Sequence, residues 1–468
     1  MSRRATRSSI LIGVSLAVSL AASPALGLPA GFSKQADRLL ASSYPADGPG
    51  VSVVITEHGD VVYEATRGLA DIRRRIPIKP TTVFRMGSIT KQFAAATVLQ
   101  LAAEGQIRLN EAISTYLPDY PNGRSITVAE LLNHTSGIQD YTEIPNWMVE
   151  ANANRPYTTQ QLIGVFKDMP PRFQPGEKWE YDNSGYILVG ALIEVVTHKP
   201  WYEVVQERIT QPLGLSTIRY GKDEPRIAAM ATGYTKGSRG VAPSMKIDMS
   251  VPGAAGSLVG TPRDLARWAD ALHHGKVVNS SYYARMIAPT KLNNGSTVPY
   301  AFGLENGVLR GHSTIGHAGS IFGFATDSLY VPDQDLFVAV FTNSDSPQTP
   351  VETTTRRLTA MAVGSPFPTF SKVAFDPKKV VPMLGVYKFK EVTRVFAMRH
   401  GKLFTKRSDG PEAEAFYAGR DRFFYGPTDL SWFKIGKDAQ GRLVFQRHAN
   451  GADEIDIGVR VPPAGRTF

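Results

Sequence analysis

Residues Phe84-Arg-Met-Gly-Ser88-Ile-Thr-Lys91 run from a strand-like start through a glycine into an apolar helical pattern that includes Phe93, Ala96 and Val98. Ser88 therefore opens a helix. Residues three apart share a helix face, so Lys91 can bring its amine to the Ser88 hydroxyl. The helix N-terminus also offers partial positive charge to an oxyanion forming there. A hydroxyl is a poor nucleophile until a base takes its proton, and a lysine kept neutral by nearby cations and partial burial can do that. Alone, Ser-x-x-Lys reads better as a helix cap followed by a solvated lysine, because common residue types meet that spacing by chance in a chain of 468 residues.

Two further segments bear on it. Tyr181-Asp-Asn183 follows the turn Gln174-Pro-Gly-Glu177 and precedes a helical pattern containing Ile187, Leu188, Ala191 and Leu192. A phenol beside a lysine relays protons, and a carboxamide supplies both donor and acceptor to a substrate amide and to the lysine. The plain alternative is a buried tyrosine in a loop before a helix. His317-Ala-Gly319-Ser320 precedes Ile321-Phe-Gly-Phe324 in a strand-rich region. Gly319 lets a ligand approach the backbone closely, and the Ser320 amide is then placed to donate to an oxyanion. Eight other histidines compete for any such role, and the adjacent pair His273-His274 points apart on a helix rather than sharing a metal.

Outward from these motifs, Val51–Ile55 and Val61–Ala65 flank Glu57-His-Gly-Asp60 as a β-hairpin. From Thr90 to about Trp268 the pattern is helical, with capping-box spacing at Thr127/Glu130 and Thr158/Gln161 and Pro262 after Thr261. Strand-like segments return between Tyr300 and Asn343, notably Thr326–Tyr330 and Leu336–Phe341, before a helix at Val351–Met361. Strands on either side of a helical insert predict one antiparallel sheet built from both chain ends. Gly364–Phe370, with two prolines, reads as a linker, and residues 380–460 give short aromatic-rich strands separated by Gly-containing turns: a small β-barrel or sandwich.

The composition is globular, with 42% hydrophobic and 20% charged residues. There is no cysteine, which excludes disulfides, thiolate metal sites and a cysteine nucleophile. Arg3, Arg4 and Arg7, the apolar run Ile10–Ala22 and small residues at Ser23–Ala25 or Ala25–Gly27 read as a secretory signal peptide over 1–27. That run is shorter than the roughly 20 residues needed to cross a bilayer. The expectation is a periplasmic or secreted protein with no stable membrane span after signal removal. The net charge of +10 is carried mainly by the two ends of the chain. Its acids and bases are interspersed, with no basic helix or RNA-binding motif, so nucleic acid is not an expected partner. No His-Glu-x-x-His spacing for a metal and no Gly-x-Ser-x-Gly elbow occurs.

Taken in order, Ser-x-x-Lys at 88, Tyr-x-Asn at 181 and His-x-Gly at 317 resemble the serine β-lactamase and penicillin-binding superfamily, in its class C β-lactamase-related branch of DD-peptidases, D-aminopeptidases and esterases. Leu131–Gly137, Gly185–Gly190, Gly253–Ser257 and Val340–Asn343 add to the resemblance, which covers roughly residues 33 to 362. It implies an α/β (α+β) fold: an antiparallel sheet from both chain ends flanked by helices, an all-helical subdomain, and a small C-terminal all-β domain. The division is 1–27 signal peptide, 28–365 serine hydrolase domain, 366–379 linker and 380–468 barrel or sandwich. It further implies Ser88 as acylated nucleophile, Lys91 and Tyr181 as the proton-handling pair, and Asn183, His317, Gly319 and Ser320 as substrate-binding residues, with the Ser88 and Ser320 amides as oxyanion hole. No cofactor or metal is implied. His134 and Ser136 match a segment expected to satisfy local backbone.

Position 317 departs from the Lys-Thr-Gly of class C β-lactamases. A lysine there is a permanent cation that attracts a substrate carboxylate, whereas histidine is mostly neutral near pH 7. Asp182 stands where serine is usual and sets an acid beside the site. The expected substrate is accordingly a small amide, peptide or ester, a D-amino-acid peptide or ester before a β-lactam, and it is small or cell-wall derived. The competing reading is a catalytically silent envelope binding or regulatory protein on the same fold.

Overall fold

The computed structural model describes residues 27–426, 428–452 and 455–462. All of the segment read as a signal peptide except Gly27 lies outside the described residues. Six antiparallel strands form the central sheet: β1 (Val51–Glu57), β2 (Asp60–Arg67), β3 (Glu305–Leu309), β4 (His312–Ile321), β5 (Phe324–Val331) and β6 (Leu336–Thr342), in the order β3-β4-β5-β6-β1-β2. The hairpin β1-β2 joins the late strands through β1 and β6, from Val51↔Thr342 to Glu57↔Leu336. Both chain ends thus build one sheet.

Alternation along β1 explains how the sheet is covered. Val51, Val53 and Ile55 join Val338 and Val340 on one face, where they meet Phe32, Ala36 and Leu40 of α1 (Phe32–Ser43) and Val351 and Leu358 of α7 (Val351–Ala362). Val54, Ala339 and Phe341 point the other way, into the main core. There α6 (Pro262–His273) packs on β1 and β6. Behind it lies α2 (Thr90–Ala103), buried on every face from Thr90 to Leu99 and mostly apolar, as an enclosed helix is, with Lys91 and Gln92 among its few buried polar groups. The Phe93 and Trp268 rings stack at 4.1 Å between α2 and α6.

The helical insert follows its capping signals. Thr127 and Glu130 close a capping box on α3 (Val128–Leu132), and Thr158 and Gln161 do the same on α4 (Thr159–Phe166). Thr261 accepts from the Asp264 amide ahead of Pro262 in α6. Between α4 and α6 lies α5 (Asn183–Thr197), capped by Asp182.

After residue 364 the chain crosses an irregular stretch, turns through the short helix Pro377–Val380, and enters β7 (Gly385–Lys388), β8 (Thr393–Arg399), β9 (Lys402–Arg407), β10 (Glu412–Gly419), β11 (Arg422–Phe424), β12 (Trp432–Lys437), β13 (Leu443–His448) and β14 (Asp456–Arg460). These eight strands close on themselves by pairing β7 with β14. The choice between barrel and sandwich is a closed barrel. Its inward residues include Phe396, Phe423, Phe433 and Phe445, so the interior is filled rather than hollow. Leu309, Ala360, Phe367 and Leu430 join the two units in a small apolar cluster.

Candidate active site

Ser88 lies in a 3-10 turn, Gly87–Ile89, that feeds directly into α2. One helical turn on, Lys91 is fully buried, and its Nζ stands 3.1 Å from Ser88 Oγ, 2.9 Å from Asn183 Oδ1 and 2.9 Å from the Ala255 carbonyl. Burial pulls the Lys91 ammonium down to about 7, against the opposing pull of Asp140 and Asp182. The contact set then directs the amine. Asn183 Oδ1 and the Ala255 oxygen can only accept, so neutral Lys91 spends its two N–H bonds on them and turns its lone pair toward Ser88.

Asp140 fixes the Asn183 carboxamide. Asp140 Oδ2 accepts from Asn183 Nδ2 at 3.0 Å and from the Asn183 amide at 3.1 Å, which leaves Asn183 Oδ1 facing Lys91. Its other oxygen accepts from the Thr142 amide and hydroxyl, both at 2.8 Å. Sequence reading did not single out Asp140, although Asp140-Tyr-Thr142 has the spacing of an Asx cap three residues beyond Gly137.

The Tyr181 ring lies under Lys91 Nζ at 4.7 Å from the centroid, and its phenol feels the Ser88 hydroxyl. Burial, as the largest effect, holds the phenol above its ordinary range. Near pH 7 the pair is thus a neutral phenol beside a lysine that is partly neutral.

The opposite wall is the edge of β4. Strand β3 ends its pairing at Glu305↔Gly316, so His317 to Ile321 have neighbours on β5 only. The turn Phe322-Gly323 closes on Ile321↔Phe324, and alternation of an antiparallel ladder from that closing pair puts the Ser320 N–H and C=O on the open edge. The Ser88 turn abuts it: a Cβ on Gly87 (φ +54°) would stand 2.9 Å from the Ser320 nitrogen. The Ser88 amide, at the unpaired start of a helix, and the Ser320 amide therefore face one space.

Two sequence readings change here and a third is sharpened. A Cβ on Gly319 would stand 2.1 Å from the Met86 carbonyl, and Thr326 Oγ1 donates to that same oxygen at 2.9 Å. The close neighbour at Gly319 is the chain leading into Ser88; the glycine lets β4 dock against the Ser88 turn. His317 is 7% exposed with both ring nitrogens engaged: Nδ1–H donates to the Ala318 carbonyl, which fixes the tautomer, so Nε2 accepts from the Tyr300 hydroxyl at 2.8 Å. Burial and Lys91 pull His317 down to about 4, leaving it a neutral wall. Asp182 is an acid beside the site, within electrostatic reach of Lys91, but its carboxyl is not part of the cleft lining. Its carboxyl caps α5 through the Gly185 amide at 2.6 Å, and burial pushes it up to about 8.

His134 (φ +62°) accepts the Asp182 amide on Nδ1 at 3.2 Å, and Ser136 Oγ accepts the Ile138 amide at 3.2 Å, both serving local backbone. Asn343 ties the sheet to neighbouring loops, accepting from the Gly50 amide and donating to the Thr232 carbonyl.

A cleft of about 260 Å3 opens over Ser88, lined by Asn183 and Ser320 and by the apolar Met148, Ile247, Val251 and Phe322. Among the described residues, none of its lining comes from the barrel.

The beta-lactamase family model matches residues 39–361. The chain is a member of the beta-lactamase family. Among relatives of this beta-lactamase-family protein, penicillin-binding protein 4* of Bacillus subtilis is 23% identical over 429 residues, 86% of this chain and 93% of that protein. A D-aminopeptidase of Gluconobacter oxydans is 28% identical over 340 residues, 70% of this chain, and the match spans 61% of that longer protein. In three dimensions the chain is similar to D-amino acid amidase from Ochrobactrum anthropi SV3 complexed with D-phenylalanine, with a TM-score of 0.63, 26% identity, and coverage of 72% of this chain and 98% of that one. An octameric penicillin-binding protein homologue from Pyrococcus abyssi, at 22% identity, shares the fold over 92% of this chain with a TM-score of 0.64. The family is one of serine hydrolases, and the homologues named for a reaction act on amides or peptides.

Proposed function

We propose that the protein is an exported serine hydrolase that acylates Ser88 with a small amide, peptide or ester, D-amino-acid derivatives before β-lactams. The observation that carries this reading is the buried Lys91 amine 3.1 Å from Ser88 Oγ, with its other contacts both acceptors. Lys91 takes the Ser88 proton as Oγ attacks the substrate carbonyl carbon. The carbonyl oxygen becomes an oxyanion held by the Ser88 and Ser320 amides. As the tetrahedral centre collapses, the C–N or C–O bond breaks and the leaving group takes a proton from the Tyr181 phenol, which regains one from the Lys91 ammonium. Water then repeats the attack on the acyl-enzyme, giving its proton to the emptied amine, and the acid departs as Ser88 recovers its hydrogen.

Lysine is the base in this scheme because burial lowers its pKa while raising that of Tyr181. Support for the substrate class comes from the relatives' names, from an open strand edge that can pair with a peptide-like backbone, and from the neutral His317. The site of action follows from the signal-like first residues: periplasmic or secreted.

The test is intact-mass spectrometry of the mature protein after a fluorophosphonate and, separately, a penicillin. One phosphonyl adduct on the wild type and none on Ser88→Ala is the expected result. An adduct that survives Ser88→Ala rejects the assigned nucleophile, and no adduct in a folded, inactive sample favours a binding protein.

A further inference from the structure

The cleft over Ser88 has an uneven electrical character. Among the described residues that line it, Asp345 alone carries a formal charge. It follows β6 and is half-buried. Its Oδ2 accepts from the Gly323 amide at 2.7 Å and from Thr235 Oγ1 at 2.5 Å, and its Oδ1 accepts from Ser346 Oγ at 3.1 Å. Gly323 sits in the turn of the β4-β5 hairpin, whose edge carries Ser320, so the carboxylate is tethered to the element that forms the oxyanion wall. Two carboxylate oxygens accept about four hydrogen bonds; with three donors present, Oδ1 keeps a lone pair open.

Among the described residues no cation pairs with that charge. Arg85 is held by Glu224 through two contacts of 2.8 Å and by the Phe322 carbonyl at 3.2 Å. Lys91 lies beneath the cleft floor, bonded to Asn183 and Ala255. His317, where a related site would place a lysine, has both nitrogens engaged. Asp345 itself has no ion pair among the described residues. A carboxylate-bearing substrate would meet an acid with no compensating base, whereas an ammonium would supply both the missing charge and the missing donor.

We propose that Asp345 is a specificity residue that selects substrates bearing a primary ammonium near the scissile carbonyl, as in an amino-acid amide with a free α-amino group. This rests on the acyl-transfer reading of Ser88. Asp345 takes no part in bond making; it holds the ammonium end while the apolar wall of Met148, Ile247 and Phe322 takes the side chain.

The experiment compares D-phenylalanine amide with its deamino analogue 3-phenylpropionamide and with N-acetyl-D-phenylalanine amide, in the wild type, Asp345→Asn and Asp345→Ser. The wild type is expected to prefer the free amine in kcat/KM at least roughly 30-fold, and both variants to cut that ratio at least tenfold, mainly through KM. Wild-type enzyme that hydrolyses the deamino or acetylated amide equally well overturns the proposal. So does a ratio unchanged in the variants, which would mark Asp345 as only a tie between Gly323 and Thr235. Fluorophosphonate labelling is run alongside: wild type that labels at Ser88 without an ammonium preference refutes the role of Asp345 alone, whereas wild type that fails to label refutes the hydrolase reading and this one with it.

Discussion

Replacing Asp140 by asparagine tests whether Lys91 is aimed as well as neutral. Asp140 is 6% exposed, and its four accepted hydrogen bonds come from Asn183 on one oxygen and Thr142 on the other. An asparagine must point its NH2 at one of these donor pairs. When it meets Asn183, the Asn183 carboxamide is driven to rotate and offers Lys91 a donor in place of Oδ1. The amine lone pair then turns to Asn183 and away from Ser88. A charge-assisted hydrogen bond is worth about 1.5–3 kcal/mol, which at 1.36 kcal/mol per tenfold is a loss of roughly 10- to 150-fold in rate.

A second effect has the opposite sign on pH. Asp140 favours the Lys91 ammonium, so removing its charge lowers the Lys91 pKa further below about 7. Activity requires the neutral amine, so the rising limb of the pH profile moves to lower pH while the plateau falls. The assay is the second-order rate of fluorophosphonate labelling from roughly pH 5 to 10, which needs no knowledge of substrate. A limb that stays in place or moves up, or a plateau within threefold of wild type, refutes the aiming argument.

Other predictions follow from the same wall. Gly319→Ala drives a methyl against the Met86 carbonyl and should push β4 off the Ser88 turn. Labelling is expected to fall at least roughly 100-fold, with a destabilisation of about 1–3 kcal/mol; thermal melts and labelling rates check both, and near-normal labelling would mean the strand relaxes without cost. Tyr300→Phe strips His317 Nε2 of its donor in a buried place. The expected cost is about 1–3 kcal/mol, read as a drop of several degrees in Tm, and an unchanged Tm would show that the ring nitrogen does not depend on the phenol.

The fold class was legible because its signals are local. The Thr127, Thr158 and Thr261 caps and the hairpin through His58-Gly59 announce themselves in a few residues. Pairing of β1 with β6 was legible only as a need for one sheet, not as a register. The site divides in the same way. Ser88 to Lys91 is one helical turn, readable from spacing, but what makes Lys91 neutral and aimed lies elsewhere. The Ala255 carbonyl has no residue signature, and Asp140 and Tyr300 are ordinary residue types whose value comes from burial. Gly319 was read as room for ligand because a glycine in sequence says only that something comes close, not what. Asp182 was read as an acid beside the site, and it is one, yet the first turn of α5 sends its carboxyl back to its own helix end rather than into the cleft. Asp345 left no motif; its interest comes from being, among the described residues, the one formal charge lining a cleft assembled from remote segments.

The seating of β1 between β2 and β6 also governs when this protein can become reactive. A growing chain presents Ser88 and Lys91 early, on a helix that is enclosed only when later segments pack around it. The edge that carries Ser320, and the strand that anchors β1 at Thr342, leave the ribosome much later. Contacts of such long sequence separation form slowly, so an N-terminal fragment holds a serine and a lysine but no second oxyanion donor. On the proposed acyl-transfer reading, synthesis order is then a timer: Ser88 gains its second oxyanion donor only once β4 to β6 have formed, and a chain truncated before Ser320 is expected to resist fluorophosphonate labelling however well its helices fold.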